Sequence, residues 1–534
     1  MEVAGVVLAI PGILDLCLKY GKELKFLCSA LREADTEVSE RVIRLDNGWL
    51  RFQHQLNFLQ RTHHIMEEDH RDICAQTLRV LLSKLDFVTA MLRQLVKKES
   101  DDKVTVRKAR YALKKESLDK AIDEFESWQG IADQSWYLLM RITDTQVDRA
   151  LETGDTAAAI PSTLAIRSGI RPQQAPQGQT PPASSRLTFP AEEVTKMKTK
   201  PIPYSDTVLA WHTGYIPYLL NHIKCDDPRR YSTVKQDARD LVRKLQHRDP
   251  ETFGLLSCKG LGTPSWTPHD SGRKTFTMVF RIPFPNNPNT DPKSLREILL
   301  TFPPPKSLST RFEFARQLAR SISYVHTFGF VHKNVRPESI LLFSPSEGFT
   351  ILEPAAKQSL FLLGFENFRS ERAASAFIGD QDFTKDLYRH PSRQGPCPTE
   401  YYSMQHDIYS LGVCLLEIGL WRSFVRYEVN RDWRTRYSLP QGEGMLSQRC
   451  VNTDHFPALG DTKDTKGFFL GAVRDKLAQS MGTRYAEIVE TCLTCLDPGN
   501  VDFGDEREFQ DEDGIKVGVR YIEKVVMGLN QLYV

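Results

Sequence analysis

"HKNVRPESILL", residues 332–342, packs His332, Asn334, Arg336, Glu338 and Ser339 into eight positions and then turns apolar at Ile340, Leu341 and Leu342. A helical pattern over Phe312–Phe328 precedes it. Pro337 and the apolar run after it read as a loop leading into a buried strand. A polar loop held between a helix and a core strand has the layout of a catalytic loop, and its residue choices decide whether the chemistry is still there.

The rest of the chain sets the frame. Its 534 residues suffice for roughly two to four domains. With 70 basic and 68 acidic residues the formal charge is +2, so no bulk charge draws it to nucleic acid, and no nucleic-acid partner is expected. The 10 cysteines show no framework spacing, which suits a reducing, cytoplasmic setting. Cys492-Leu-Thr-Cys495 is a lone CxxC inside a helical pattern, read as packing, and no metal site is expected. The apolar opening, Val3 to Leu18, is broken by Pro11, Gly12 and Asp15. It is shorter than a spanning helix, and it lacks the basic start and cleavage site of a secretory signal.

Residues 36–150 read as long amphipathic helices. Val38, Val42, Leu45, Trp49, Phe52, Leu56 and Leu59 recur at spacings of four and three, as do Cys74, Leu78, Leu81, Leu85, Val88, Leu92 and Leu95. A third stripe runs from Leu118 through Ile122, Phe125 and Trp128 to Ile142. Together with the first helix these predict an all-α bundle over 1–150. Residues 151–186, rich in Pro, Gln, Ser, Thr and Ala, predict a flexible linker. From 187 onward, strands at Thr277–Phe280, Ile340–Phe343 and Leu360–Leu363 alternate with helices near 233–247, 311–328, 405–420 and 482–496. That order predicts an α+β domain over 187–534.

Four segments in sequence order resemble the protein-kinase catalytic region. They are the loop at 332, "FLLGFENF" (361–368) where D-F-G is expected, "LYRHPSRQG" (387–395) near A-P-E, and "HDIYSLGVCLLEIGLW" (406–421) as the buried helix that follows. The resemblance covers about residues 205–530. It implies a two-lobed fold, with a small lobe at about 187–290 and a large lobe at about 291–534. It also implies roles by position. Asn334 stands where the catalytic Asp accepts the substrate proton, Arg336 where a Lys contacts the transferred phosphate, Ser339 where an Asn holds a metal, and Gly364 where the D-F-G Asp does. His332 is kept, and Asp407 matches the Asp that fixes the loop backbone. No G-x-G-x-x-G precedes the first strands, and "VLAWHT" (208–213) puts His212 at the position of the strand-3 Lys. With base and both metal ligands altered together, a pseudokinase is expected, without catalysis, with no cofactor and at most weak residual nucleotide binding. Asp382, Asp386, Glu366 and Glu338 are the acidic residues that a relocated metal site would draw on. A divergent active Ser/Thr kinase and a non-catalytic scaffold are the alternatives.

The opening helix, with its Gly and a Cys near its end, and the following helix with Trp49 and Leu56 resemble the HeLo domain of fungal incompatibility proteins related to HET-s. That resemblance implies a signalling or cell-death protein whose bundle acts at membranes. Val3, Val6, Val7, Leu8, Ile10, Ile13, Leu14, Leu16 and Leu18 would form the membrane segment, and Lys19, Lys22 and Lys25 would face anionic lipid headgroups. Protein partners are expected at the kinase-like domain, with recruitment from cytoplasm to membrane on activation.

Overall fold

A computed structural model describes residues 10–31, 36–66, 68–98, 104–106, 108–141, 187–212, 217–225, 227–246, 250–262, 274–283, 291–305, 307–344, 358–370, 382–428, 448–456, 459, 464–503 and 515–532. The linker expected at 151–186 and the membrane-segment candidates Val3, Val6, Val7 and Leu8 lie outside them. The chain divides into two compact units, Met1–Gln174 and Ala175–Val534.

The first unit is helical. Helices α1 (Ile10–Leu31), α2 (Thr36–Thr62), α3 (Glu68–Leu95) and α4 (Lys108–Arg141) each turn one apolar face inward. Helix α1 packs on α2 and α3, and α4 packs on α3 and α2. All seven apolar positions read from α2 and all seven from α3 are buried. Ile10, Ile13 and Leu14 are buried as well, while Leu16 and Leu18 are half-buried. Arg41 donates two bonds to Asp119, at 2.6 and 2.7 Å, tying α2 to α4 outside the core. One element departs from the all-helical expectation. Strands β1 (Val96–Lys98) and β2 (Val104–Val106) form an antiparallel hairpin between α3 and α4, with Val96 opposite Val106. Three valines in six strand residues favour extended backbone there.

The second unit opens with a six-stranded sheet. Its strands are β3 (Thr188–Phe189), β4 (Lys198–Pro201), β5 (Val208–Trp211), β6 (Tyr218–Cys225), β7 (Cys258–Gly262) and β8 (Lys274–Arg281), in spatial order β3-β7-β8-β6-β5-β4. Helix α5 (Tyr231–Lys244) buries Ala238, Leu241 and Val242 and packs on β7 and β8. Then come β9 (Lys293–Ser294), α6 (Leu295–Thr301), α7 (Leu308–Thr327), β10 (Phe330–Val331), β11 (Ile340–Phe343), β12 (Ser359–Leu362), β13 (Arg369–Ser370) and α8 (Met404–Leu420). Strand β11 pairs with β12 and β9, and β10 with β13, so the loop 332–339 hangs between two short strands. Beyond α8 lie the hairpin β14 (Val425–Glu428) and β15 (Gln448–Val451), then α9 (Thr465–Ala472) and α10 (Thr483–Leu493). This mixed sheet followed by helices is consistent with a kinase-like α+β fold.

The strand count corrects one expectation. Residues 208–211 form the second strand of the meander, not the third, and His212 follows its end, half-buried. The third strand is β6. Strands β4 and β6 both went unread in the sequence, and β4, "KTKP", is exposed at all four positions. An edge strand of lysines and proline carries no apolar alternation to read.

Helix α8 is buried on nearly every side, which is why apolar residues predominate on all its faces and its charged residues Asp407 and Glu417 are buried with them. A Cβ on Gly412 would come within 2.8 Å of Cys492 Cβ, so helix α10 rides directly on that glycine. Cys492 and Cys495 are buried, and burial pushes both thiols up. The CxxC thus sits in core packing.

Close approach also governs the first unit. A Cβ on Gly21 would stand 1.7 Å from Trp49 Cη2, so the indole lies directly on the α1 backbone. Gly21→Ala is expected to force Trp49 out of place and destabilise the helical unit by about 1–3 kcal/mol. Gly471→Ala, where nothing lies within 4 Å, is expected to be neutral or stabilising. Urea titrations of both variants, followed by tryptophan fluorescence, check the contrast.

Candidate functional site

The site grows from Asp407, fully buried in the first turn of α8. Its Oδ2 accepts the His332 N–H at 2.7 Å, and its Oδ1 accepts the Lys333 N–H at 2.9 Å and the Tyr402 hydroxyl at 2.7 Å. His326 Nε2 lies 3.1 Å from Oδ2. Burial alone would raise this carboxyl, but His326 and the other donors outweigh it and hold it below its usual range. Two successive N–H groups can face one carboxylate because Lys333 takes a left-handed backbone, φ 63°.

From that anchor the loop reaches the segment after β12. His332 Nδ1 accepts the Asn334 N–H at 3.3 Å, which leaves Nε2 to donate to the Leu363 carbonyl at 2.9 Å. Burial holds the ring neutral, pushed down to about 4. Asn334 Nδ2 donates to the Gly364 carbonyl at 3.0 Å, and its Oδ1 accepts from Arg336 Nε at 2.8 Å. A carboxylate at 334 has no proton for the first of these bonds. Ser339 Oγ lies 2.8 Å from the carbonyls of both Asn334 and Arg336 and accepts the Arg336 N–H at 3.2 Å. Its hydroxyl is committed to the turn. Gly364 has φ +80°, and a Cβ there would come within 2.5 Å of Ser339 Cβ and 3.1 Å of Asn334 Nδ2. Positions 339 and 364 therefore do not fit the metal ligands that kinases carry there.

Other groups converge on the same loop. Arg336 is buried, with Nη2 2.5 Å from Asp206 Oδ2, on the turn between β4 and β5. Glu366 Oε2 lies 3.5 Å from Asn334 Nδ2. Burial, and then the Asp206 charge, push the Glu366 carboxyl up to about 7 against the pull of Arg336. Asn221, on the third strand β6, accepts the Phe365 N–H at 2.7 Å, and its Nδ2 has no partner among the described residues. Asn221 thus occupies the strand that the sequence assigned to His212. Asp206 and Asn221 escaped the sequence reading because neither lies in a recognisable motif.

The remaining acidic candidates are engaged elsewhere. Asp382 caps the helix Phe383–Asp386 through the Thr384 N–H, and Asp386 accepts from Gly395 N and Arg389. Glu338 faces inward. Arg296, fully buried, reaches Glu338 at 3.3 Å and Glu417 of α8 at 2.9 Å, and Tyr388 donates to Glu417. Burial would raise Glu338, but Arg296 and Arg336 bring it down to about 2. His390, Glu400 and His406 also gather at metal-ligand range. There His406 Nδ1 accepts the Ser403 N–H at 3.0 Å, which puts the proton on Nε2 and leaves that nitrogen no lone pair for a cation.

No protein-family model matches the chain. It is 24% identical over 225 residues to the serine/threonine-protein kinase ATG1 of Candida glabrata, covering 36% of this chain and 23% of that protein. It is 28% identical over 106 residues to the probable serine/threonine-protein kinase FMP48 of Saccharomyces cerevisiae, covering 19% and 27%. A serine/threonine-protein kinase-like protein of Arabidopsis thaliana is 31% identical over 108 residues, covering 20% and 27%. The chain spans about a quarter of the length of these curated relatives. They support a kinase-like domain, and they overturn the expectation, drawn from Asn334, Ser339 and Gly364, that the chain is no enzyme. The likeness points to a kinase. The sequence offers Glu366 only as a relocated metal ligand and does not single out Asp206, and folding brings both carboxyls to the same loop.

The Arg296 bridge offers a test of how the site is held. Arg296→Met leaves Glu338 and Glu417 buried without their common cation, and is expected to cost about 3–5 kcal/mol. Chemical denaturation of the full chain checks this, with Arg296→Lys expected to recover part of the loss.

Proposed function

We propose that residues 187–534 form a divergent serine/threonine protein kinase domain, with lobes at about 187–290 and 291–534, that uses Glu366 as its proton acceptor. The observation that carries this reading is the meeting of Glu366, Asn334 and Arg336 on a loop whose backbone Asp407 holds rigid. The kinase relatives support it. In this reading a Ser or Thr hydroxyl attacks the terminal phosphorus of a nucleoside triphosphate. The new O–P bond forms as the bridging O–P bond breaks, the diphosphate leaves, and the hydroxyl proton passes to Glu366. Arg336 meets the phosphate charge, and Asn334 orients both Arg336 and the Gly364 backbone.

A carboxyl near 7 is half-ionised at neutral pH, and a base works only in its ionised form. Activity is therefore expected to rise with pH, about tenfold per unit below 7, and to level off above it. Glu366→Gln is expected to lower kcat by about 10²–10⁴ and to abolish that limb. Radiolabel transfer from ATP to a Ser/Thr peptide library, with magnesium or manganese supplied, checks both. Absence of transfer by the wild-type chain rejects the reading.

For the helical unit we propose a HeLo-type regulatory bundle of a fungal signalling or incompatibility protein, engaging anionic lipid or protein partners. Supporting this are Lys19, Lys22 and Lys25, exposed along α1 beside Phe26, whose side chain is unusually open for its size. No helix among the described residues is long and apolar enough to cross a membrane, so contact would be at the interface. Changing all three lysines to Gln is expected to leave the melting temperature unchanged and to reduce co-sedimentation of the full chain with phosphatidylserine vesicles, the difference vanishing at high salt. No co-sedimentation of the wild type leaves the bundle as a protein scaffold.

A further inference from the structure

Residues 202–207, joining β4 to β5, are fastened to the catalytic loop at several points. Asp206 pairs with Arg336 at 2.5 Å. Ser205 Oγ donates to the Glu338 carbonyl at 2.8 Å and accepts the Thr207 N–H at 3.2 Å. Ser294 Oγ donates to the Pro203 carbonyl at 2.7 Å. The Tyr204 ring lies 4.5 Å, centroid to centroid, from Tyr427, whose hydroxyl donates to Glu338 Oε1 at 3.1 Å. Tyr204 takes φ 53°, a conformation that a tyrosine holds only when its surroundings impose it. A turn that served only to reverse the chain would need none of these fastenings.

The fastenings centre on one guanidinium. Arg336 is buried, and its inner partners are Asn334 Oδ1 at 2.8 Å and, at 3.8 Å, Glu338. Its outer face is taken by Asp206, whose own side chain is about half exposed at 48%. The anion on Arg336 therefore comes from the surface side, where a ligand would arrive. A carboxylate and a phosphate compete for the same guanidinium N–H groups, and they repel each other if both are present.

We propose that Asp206 is an internal stand-in for phosphate, and that the 202–207 turn is an autoinhibitory latch which a phosphate-bearing nucleotide must displace from Arg336. This rests on the reading above, in which Arg336 faces the nucleotide. A latch of this kind lowers apparent affinity by the fraction of molecules that are open. Asp206→Asn keeps the shape and removes the charge that competes.

The test uses the full chain and two readouts that need no turnover. ADP, titrated calorimetrically without divalent cation, is expected to bind Asp206→Asn about tenfold more tightly than wild type. Amide hydrogen exchange of a peptide covering 198–211 is expected to quicken in the unliganded variant. Ser205→Ala, which removes a fastening without altering charge, is expected to quicken it in the same direction. Unchanged exchange in both variants, or ADP affinity that is unchanged or weaker in Asp206→Asn, overturns the latch. Phosphoryl transfer by the wild type with those negative results would keep the kinase reading and reject the latch. Tighter ADP binding and faster exchange without transfer would do the reverse.

Discussion

A single buried carboxylate, Asp407, sets the geometry on which the second unit's site depends. It sits in the first turn of a helix that is itself core, and it accepts from two backbone N–H groups, a tyrosine hydroxyl and a histidine. An isolated charge so deep would be prohibitive, and this one is tolerated because it is fully paired. Charge-assisted bonds of this kind contribute about 1.5–3 kcal/mol each, and the cost of leaving one unmade is as large. From this anchor His332 reaches the Leu363 carbonyl, Asn334 reaches Gly364, and Asn221 meets Phe365 from the sheet. The loop, the segment after β12 and the third strand are thus joined through short polar contacts.

This explains how a kinase-like platform persists while its familiar side chains change. Asp407 works through backbone N–H groups, which are the same whatever side chains the loop carries. Asn334 then has a job that an aspartate cannot do, since it donates to a carbonyl. Ser339 is spent on its own turn, and Gly364 has neither side chain nor room for one. The carboxyls of Glu366 and Asp206 meet the Asn334–Arg336 pair instead, the first beside Asn334 and the second on Arg336.

Much of the fold was legible because apolar periodicity survives without any long-range information. The stripes from Val38 and Cys74, the apolar-rich helix at 404–420 and the strands at 340–343 and 359–362 all declare themselves locally. The candidate loop was legible for a related reason, since its scaffold residues His332, Pro337 and Asp407 stand in order along the chain. Two kinds of feature were not legible. Strand β4 has no buried residue, so it left no pattern, and with β6 also unread the strand-3 position was taken at His212 and not at Asn221. The hairpin at 96–106 is short and flanked by long helices, and three valines do not outweigh that context in a sequence.

Which segments have a face to bury, and that the residues at 334, 339 and 364 depart from those of kinases, can be read along the chain. Local spacing and residue identity carry both facts, so no fold is needed to see them. Which charges meet depends on the folded arrangement. Asp206 and Arg336 are separated by 130 residues, Asn221 and Phe365 by 144, and Arg296 and Glu417 by 121. Their partnerships arise because a strand meander, a loop and a buried helix come together around one carboxylate. The strength of such contacts depends on burial and on distances of a few ångströms, and neither is encoded in any one stretch of chain.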